Sequence, residues 1–176
     1  IQAKTCPTGY VKTESGKIVR GFKSTYKRNG TLNLFAALEV ATGVVHGKTT
    51  ETKRREDFRQ FMEEVVTELP ADKEIHVILD NLCTHKKNED WLARYEGRVV
   101  FHFTPTSASW LNLVEVWFGL LTRKALRGAS FASKEQLRSA IESFLKVHNA
   151  APRPFRWRKR EVRGAQLRNT IINLCN

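Results

Sequence analysis

Cysteine is scarce. Cys6, Cys83 and Cys175 are an odd, scattered set in 176 residues, which excludes a disulfide framework and reads as reduced thiols of an intracellular protein. Long apolar runs are missing too. None approaches the roughly 20 residues that cross a bilayer, and no secretory apolar core opens the chain. Acid is short relative to base: 18 Asp and Glu face 30 Lys and Arg, a formal charge of +12. That excess favours a polyanionic partner, nucleic acid ahead of a membrane. Apolar residues are not lacking. They make up 41%, with ten Phe and four Trp, which excludes a disordered basic tail. The length suits one domain that buries about two-thirds of its unfolded surface without a disulfide or metal staple.

The first thirty residues hold Gly9, Gly16, Gly21 and Gly30 among many cations and show no sustained period. They read as loop, with one short strand at Ile18–Val19. Leu32 to Val40 and Val44 to Thr49, separated by Ala41-Thr42-Gly43, read as a hairpin. Phe58, Phe61, Met62, Val65, Val66 and Leu69 recur at helical spacing until Pro70 stops them. Ile75 to Leu79 is a short apolar run, expected to be a strand covered on both faces. A polar helical segment spans Lys87 to Tyr95, Gly97 closes it, and Val99 to Phe103 is the next strand. Strand, helix and strand with short links form a parallel crossover unit. After a Pro/Ser/Thr loop, Trp110, Leu113, Val114, Trp117, Phe118 and Leu121 make a buried stripe that Gly128 ends. Ser133-x-x-Gln136 is a capping box opening a last helix, with Leu137, Ile141, Phe144 and Leu145 inside. Residues 1–150 are expected to be one catalytic domain and 151–176 a basic tail.

Two acids carry chemistry. Asp80 ends the buried parallel strand, where open α/β sheets bind their ligands, although a cap or turn residue would look the same. Glu115 lies off the apolar stripe, between Asn112 and Gly119 on the same side of its helix, although a solvated surface Glu would also do so. They have 34 residues between them, and a helix returning across the sheet could bring both to one edge. Two hard oxygen ligands there suit Mg²⁺, and a basic surface around them suits phosphodiester chemistry on DNA.

VILDNLCTHK (Val77–Lys86) followed by FHFTPTSASWLNLVEVWFGLLTRK (Phe101–Lys124) closely resembles the catalytic core of DDE transposases, in the bacterial insertion-sequence branch of the mariner superfamily. LFAALEVATG (Leu34–Gly43) and HNAAPRPFRW (His148–Trp157) resemble the same family's hairpin and the segment after its last core helix. The resemblance implies an α/β, RNase H-like fold, a mixed five-stranded sheet flanked by helices. It also implies a triad of two Asp and one Glu holding two Mg²⁺ (or Mn²⁺) ions. These activate water, and then a DNA 3′-hydroxyl, for in-line attack on phosphodiesters. Asp80 matches the second Asp and Glu115 the terminal Glu, both catalytic and metal-binding. Asn81, His85 and Asn112 match polar residues that the family keeps around the site. The first Asp belongs to a strand ahead of the stretch aligned with Ile1-Gln2-Ala3, so the expectation is a domain without that strand, and without the family's N-terminal helix-turn-helix. Glu14 and Glu39 are not promoted in its place. The implied partners are double-stranded transposon-end and target DNA, bound as a homodimer with no membrane involved, in the bacterial cytoplasm at the nucleoid. A catalytically silent DNA-binding remnant and a nuclease of the same fold are the alternatives.

Other signals are weaker. Gly47-Lys48-Thr49 lacks the Gly that a phosphate loop needs five residues earlier. The five His have no zinc-site spacing, and His76 and His102, alternating within strands, are taken as structural. Asn29-Gly30-Thr31 is a glycosylation sequon expected to be silent. Arg153, Arg156, Arg158, Lys159, Arg160 and Arg163 interleave with Phe155 and Trp157, a pattern for phosphate contact with aromatic support. If these cations touch phosphates, duplex affinity falls by about 0.9 log units per log unit of salt for each contact. Replacing Arg156, Arg158 and Arg160 by Ala should then flatten the slope by about 3 in a salt-titrated binding assay. An unchanged slope would make the segment a merely solvated face.

Overall fold

Phe58, Phe61, Met62, Val65 and Val66 keep their helical period in space: in the computed structural model they form the buried face of α1 (Arg55–Glu68). The structure describes residues 1–6, 8–22, 25–105 and 112–154. Asp57 caps α1 by accepting from the Arg54 backbone N–H at 2.8 Å and the Thr52 hydroxyl at 2.6 Å. These bonds and neighbouring cations lower its pKa, so the cap is intact at neutral pH and weakens as acid protonates Asp57.

Among the described residues, eight strands pair two by two. β1 (Gln2–Thr5) runs antiparallel to β4 (Lys27–Thr31), and β2 (Thr8–Lys12) to β3 (Ile18–Phe22). The short strand expected at Ile18–Val19 is the start of β3, and the loop expected around it holds three further strands. Their glycines and cations hide the alternation, and part of their support comes from far away. Asn29 donates to the Phe131 carbonyl at 2.8 Å, and Phe131 donates its N–H to the Lys4 carbonyl at 2.7 Å. The expected hairpin is present as β5 (Asn33–Leu38) and β6 (Val45–Thr50), in antiparallel register from Asn33↔Thr50 to Leu38↔Val45.

β7 (Ile75–Leu79) and β8 (Val99–Phe103) pair in parallel, as the crossover pattern predicts, in register Ile75↔Val99. Only one face of β7 is covered, however. Leu79 is buried and Ile75 and Val77 pack on the α1 cluster, while His76 and Ile78 are exposed, Ile78 by 54%. The intervening helix α2 (Glu89–Ala93) is shorter than the expected Lys87–Tyr95 segment, and Gly97 ends the turn after it with φ +88°. The expected mixed five-stranded sheet is not formed among the described residues. Each strand pairs with a single partner, and no ladder joins β5 to β7. The two pairs are bridged by side chains instead: Phe35 of β5 shares a buried cluster with Leu79, Val99, Trp91 and the α1 face.

A second core lies on the other side of the hairpin. Ala3, Leu32 and Val45 pack with Trp117 and Leu121 of α3 (Val114–Leu121) and with Leu137 and Ile141 of α4 (Lys134–Ala150). The expected helix from Trp110 to Arg123 is α-helical only from Val114, Trp110 lies outside the described residues, and residues 122–126 continue as a π-helical turn closed by the Arg127 N–H on the Thr122 carbonyl at 2.7 Å. The capping box holds with a shift: Ser133 accepts from the Gln136 N–H, but the Gln136 side chain accepts from Ala132 rather than Ser133. Near its C-terminus α4 clamps the hairpin. Asn149 accepts from the Val45 N–H at 3.0 Å and donates to the Val45 carbonyl at 2.8 Å, and His148 Nε2 meets the Gly43 carbonyl at 3.0 Å. Gly43 must be glycine, since its φ is +82° and a Cβ would run into the backbone of Arg153.

Ile141 is wholly buried and Val147, on the same helix, is 73% exposed. Ile141→Ala should cost about 2–5 kcal/mol in urea denaturation. Val147→Ala should change stability by less than about 0.5 kcal/mol.

Candidate active site

β7 ends at Leu79, which packs in the α1 cluster, so Asp80 emerges at the C-terminal edge of a parallel strand whose last residue is anchored. Its side chain is partly exposed. Oδ1 accepts from the Leu82 N–H at 3.3 Å, a local turn, and lies 2.7 Å from Nδ1 of His85 without the alignment of a hydrogen bond. Oδ2 has no hydrogen-bond partner among the described residues. The 3₁₀ turn Cys83–His85 carries the imidazole back to Asp80, and Phe58 holds it with ring centroids 4.6 Å apart. Asn81 donates to the Thr104 carbonyl at 2.5 Å, and the Thr104 N–H donates to the Leu79 carbonyl at 2.8 Å. The ends of β7 and β8 are thereby stitched together.

Glu115 stands in the first turn of α3, exposed and with no ion pair or hydrogen bond to its carboxylate among the described residues. Asn112 prepares that turn: its carbonyl accepts from the Glu115 N–H at 3.1 Å and its side-chain oxygen from the Val114 N–H at 3.4 Å. Trp117, two residues on, is completely buried and fixes the helix that presents Glu115. The structure thus gathers Asp80, Asn81 and His85 at one strand end, and Asn112 and Glu115 at one helix start. No hydrogen bond or ion pair joins the two sets. Thr104, held by Asn81, is the start of the connection that leads towards Glu115. Of the candidate DNA-binding cations, Arg153 is described, while Arg156, Arg158, Lys159, Arg160 and Arg163 lie outside the described residues, as do Phe155 and Trp157.

The residues that hold the Asp80 loop were not singled out from the sequence. Asn88 is 2% exposed and donates to the carbonyls of His85, Lys86 and Thr84 at 2.9, 3.3 and 3.4 Å. Its own oxygen accepts from Nε of Arg59 at 2.8 Å. The same guanidinium reaches the Lys87 carbonyl at 3.2 Å and both oxygens of Asp90 at 2.5 and 2.9 Å. Lys87 takes a positive φ of 57°, so the loop carries local strain that these bonds offset. A sequence signal exists only for the local half, an Asn followed by two acids at a helix start. Nothing in the sequence pairs it with an Arg 29 residues earlier.

In this mixed α/β chain Asp80 stands at the C-terminal end of a parallel strand, where open α/β sheets bind their ligands. The family model for DDE superfamily endonucleases matches residues 1–138, and the chain belongs to that family. Membership implies an RNase H-like fold. The chain matches none of the curated proteins. Among solved structures it is similar to a chain of the cryo-EM structure of the simian T-cell lymphotropic virus intasome in complex with PP2A regulatory subunit B56 gamma. Identity is 13% and the TM-score 0.49, over 91% of this chain and 58% of that one. The chain therefore spans little more than half the length of that relative.

The donor chemistry fits a hard divalent ion. Oδ2 of Asp80 and the Glu115 carboxylate are oxygen ligands not engaged by the described residues, and Mg²⁺ takes one or two carboxylates beside water. Among the described residues no group of three or more His, Cys, Asp or Glu side chains could hold a metal ion.

Asn88→Ala removes the amide nitrogen that serves three loop carbonyls and the oxygen that accepts from Arg59 Nε. It should cost about 1–3 kcal/mol. Amide hydrogen exchange should then quicken at residues 82–88 while the β5–β6 hairpin stays protected.

Proposed function

We propose that this chain is the catalytic domain of a DNA transposase, in the bacterial insertion-sequence branch of the mariner superfamily, which cleaves and joins phosphodiesters at transposon ends. The observation that carries the reading is Asp80 at the C-terminal end of β7, with Glu115 on α3 after 34 intervening residues, within a chain of the DDE endonuclease family. In this reading Asp80 and Glu115 hold the divalent ion, Mg²⁺ or Mn²⁺. When bound, such ions lower the pKa of an attacking water or 3′-hydroxyl and steady the leaving oxygen.

The protein's own residues do the rest. His85, locked against Phe58, sets the orientation of Asp80 and leaves Oδ2 open. Asn81 keeps the strand end aligned with the segment leading to α3. Asn112 shapes the turn that turns Glu115 outward. The cations from Arg153 to Arg163 hold duplex DNA by its phosphates, and action on paired ends calls for a homodimer on DNA, with insertion at TA dinucleotides and activity in the bacterial cytoplasm at the nucleoid.

The family resemblance assigns a third carboxylate to a strand ahead of the stretch aligned with Ile1, and two-metal chemistry needs ions roughly 4 Å apart that two acids alone do not preorganise. A DNA-binding remnant without catalysis is the second reading, because among the described residues no group of three acids could hold a metal. A supercoiled-plasmid assay separates them. The 176-residue chain should bind DNA without nicking it in Mg²⁺ or Mn²⁺. Fused to a family first strand with its Asp, it should nick and join ends, and Asp80→Asn or Glu115→Gln should lower that rate by three orders of magnitude or more. A fusion that binds but never cleaves supports the remnant, and one that cleaves without joining supports a nuclease of the same fold. Metal-dependent nicking by the 176-residue chain, abolished by Asp80→Asn, would mean that another acid completes the site.

A further inference from the structure

The β2–β3 hairpin has no third strand among the described residues, and none of its described side chains is buried. Tyr10, Lys12, Lys17 and Ile18 are all exposed, Tyr10 by 71% and Ile18 by 67%. A two-stranded ribbon is marginal by itself, yet this one is tied at its tip and at its base. At the tip the Thr13 N–H donates to the Lys17 carbonyl at 2.9 Å and the Gly16 N–H to the Thr13 carbonyl at 2.8 Å. The Lys17 N–H donates to the Thr13 hydroxyl at 3.1 Å. At the base, where β1 leads into β2, the Cys6 N–H donates to the Ser130 hydroxyl at 3.2 Å. Side chains alternate along a strand, so Tyr10 and Lys12 share a face, and the antiparallel register adds Ile18, opposite Lys12. An aromatic, an aliphatic and a lysine thus lie together on one uncovered face, with Lys17 beside it at the turn.

Charge indicates what covers that face. Residues 1–31, through the end of β4, hold seven Lys and Arg against one acid, Glu14. That is a formal +6, half of the chain's +12. Lys48, Arg59 and Lys134 are paired with carboxylates elsewhere in the fold. Lys4, Lys12, Lys17, Lys27 and Arg28 have no ion pair among the described residues. Such a patch repels a second copy of itself and attracts a polyanion. The major groove of duplex DNA, about 12 Å wide, admits a two-stranded ribbon. There lysines and a Tyr hydroxyl donate to phosphates, and an apolar side chain meets thymine methyls. We propose that the β2–β3 hairpin is a duplex-DNA contact, which enters the major groove with its Tyr10, Lys12 and Ile18 face and sets Lys17 on a phosphate. It rests on DNA being the partner in the proposed function, not on the chemistry there, and it uses none of the residues assigned to that function.

The test is salt-titrated binding of the 176-residue chain to a short duplex, with dimethyl sulfate footprinting, which reads guanine N7 in the major groove without any substitution. Protection at N7 is expected. Lys12→Ala with Lys17→Ala should flatten the salt slope by about 2, roughly one phosphate contact each. Tyr10→Ala with Ile18→Ala should weaken binding about tenfold, keep the slope and remove the protection. Both double variants are checked for an unchanged circular dichroism spectrum. Slope and footprint as expected in a chain that never cleaves, even when completed by its missing Asp, would uphold this contact while the transposase reading fails. An unchanged slope in the lysine variant, absence of N7 protection, or equal affinity for single-stranded DNA would overturn it. Self-association of the free chain that Tyr10→Ala/Ile18→Ala abolishes would also overturn it, in favour of an interface between copies.

Discussion

Burial of one face of α1 is the constraint on which the rest of the structure depends. Hydrogen bonds organise each strand pair internally, but none crosses from β5 to β7. Phe58, Phe61, Met62, Val65 and Val66 do the joining, with Phe35 on one side and Leu79 and Val99 on the other. Each such side chain contributes about 1.5–3 kcal/mol when fully buried, far more than the exposed pairs Lys48–Glu64 and His46–Glu68 that also link β6 to α1. The polar side of the same helix extends this control to the site. Arg59, one residue after Phe58, reaches Asn88 and Asp90, so the loop beyond Asp80 is indexed to α1 as well.

The two acids are supported by different physics. Asp80 sits on a loop of irregular backbone, kept in shape by hydrogen bonds from a buried Asn and by an imidazole wedged against Phe58. Glu115 sits on a regular helix whose rotation is set by Trp117 and Leu121 in the second core. The first depends on satisfied polar groups, which fail abruptly when a partner is lost. The second depends on apolar packing, which degrades by degrees.

What could be read in advance followed the range of the interaction. The α1 stripe, the β5–β6 hairpin and the β7–β8 crossover were legible because their signals are local: a 3.6-residue period, a turn between two apolar runs, short links around a polar helix. β1 to β4 were not. Gly9, Gly21 and Gly30 interrupt the alternation, and Asn29 finds its partner in Phe131, 102 residues away. The open face of β7 was missed because IHVIL is apolar enough to look doubly buried, and only the fold reveals which side α1 leaves uncovered. At the site, Asp80 and Glu115 stood out by position and spacing. His85 was reached through family resemblance, and the Asn88–Arg59 pair, a contact between distant elements, left no pattern to find.

The clamp of Asn149 on Val45 has a consequence in time. The hairpin's two strands are made early, yet the side chain that satisfies both polar groups of Val45 comes 104 residues later. At roughly 5–20 residues per second of synthesis, that is a wait of about 5–20 s. Leu32 and Val45 wait equally for Leu137 and Ile141. On the ribosome, these strands must therefore spend seconds with an apolar face uncovered, until α4 is made to cover it.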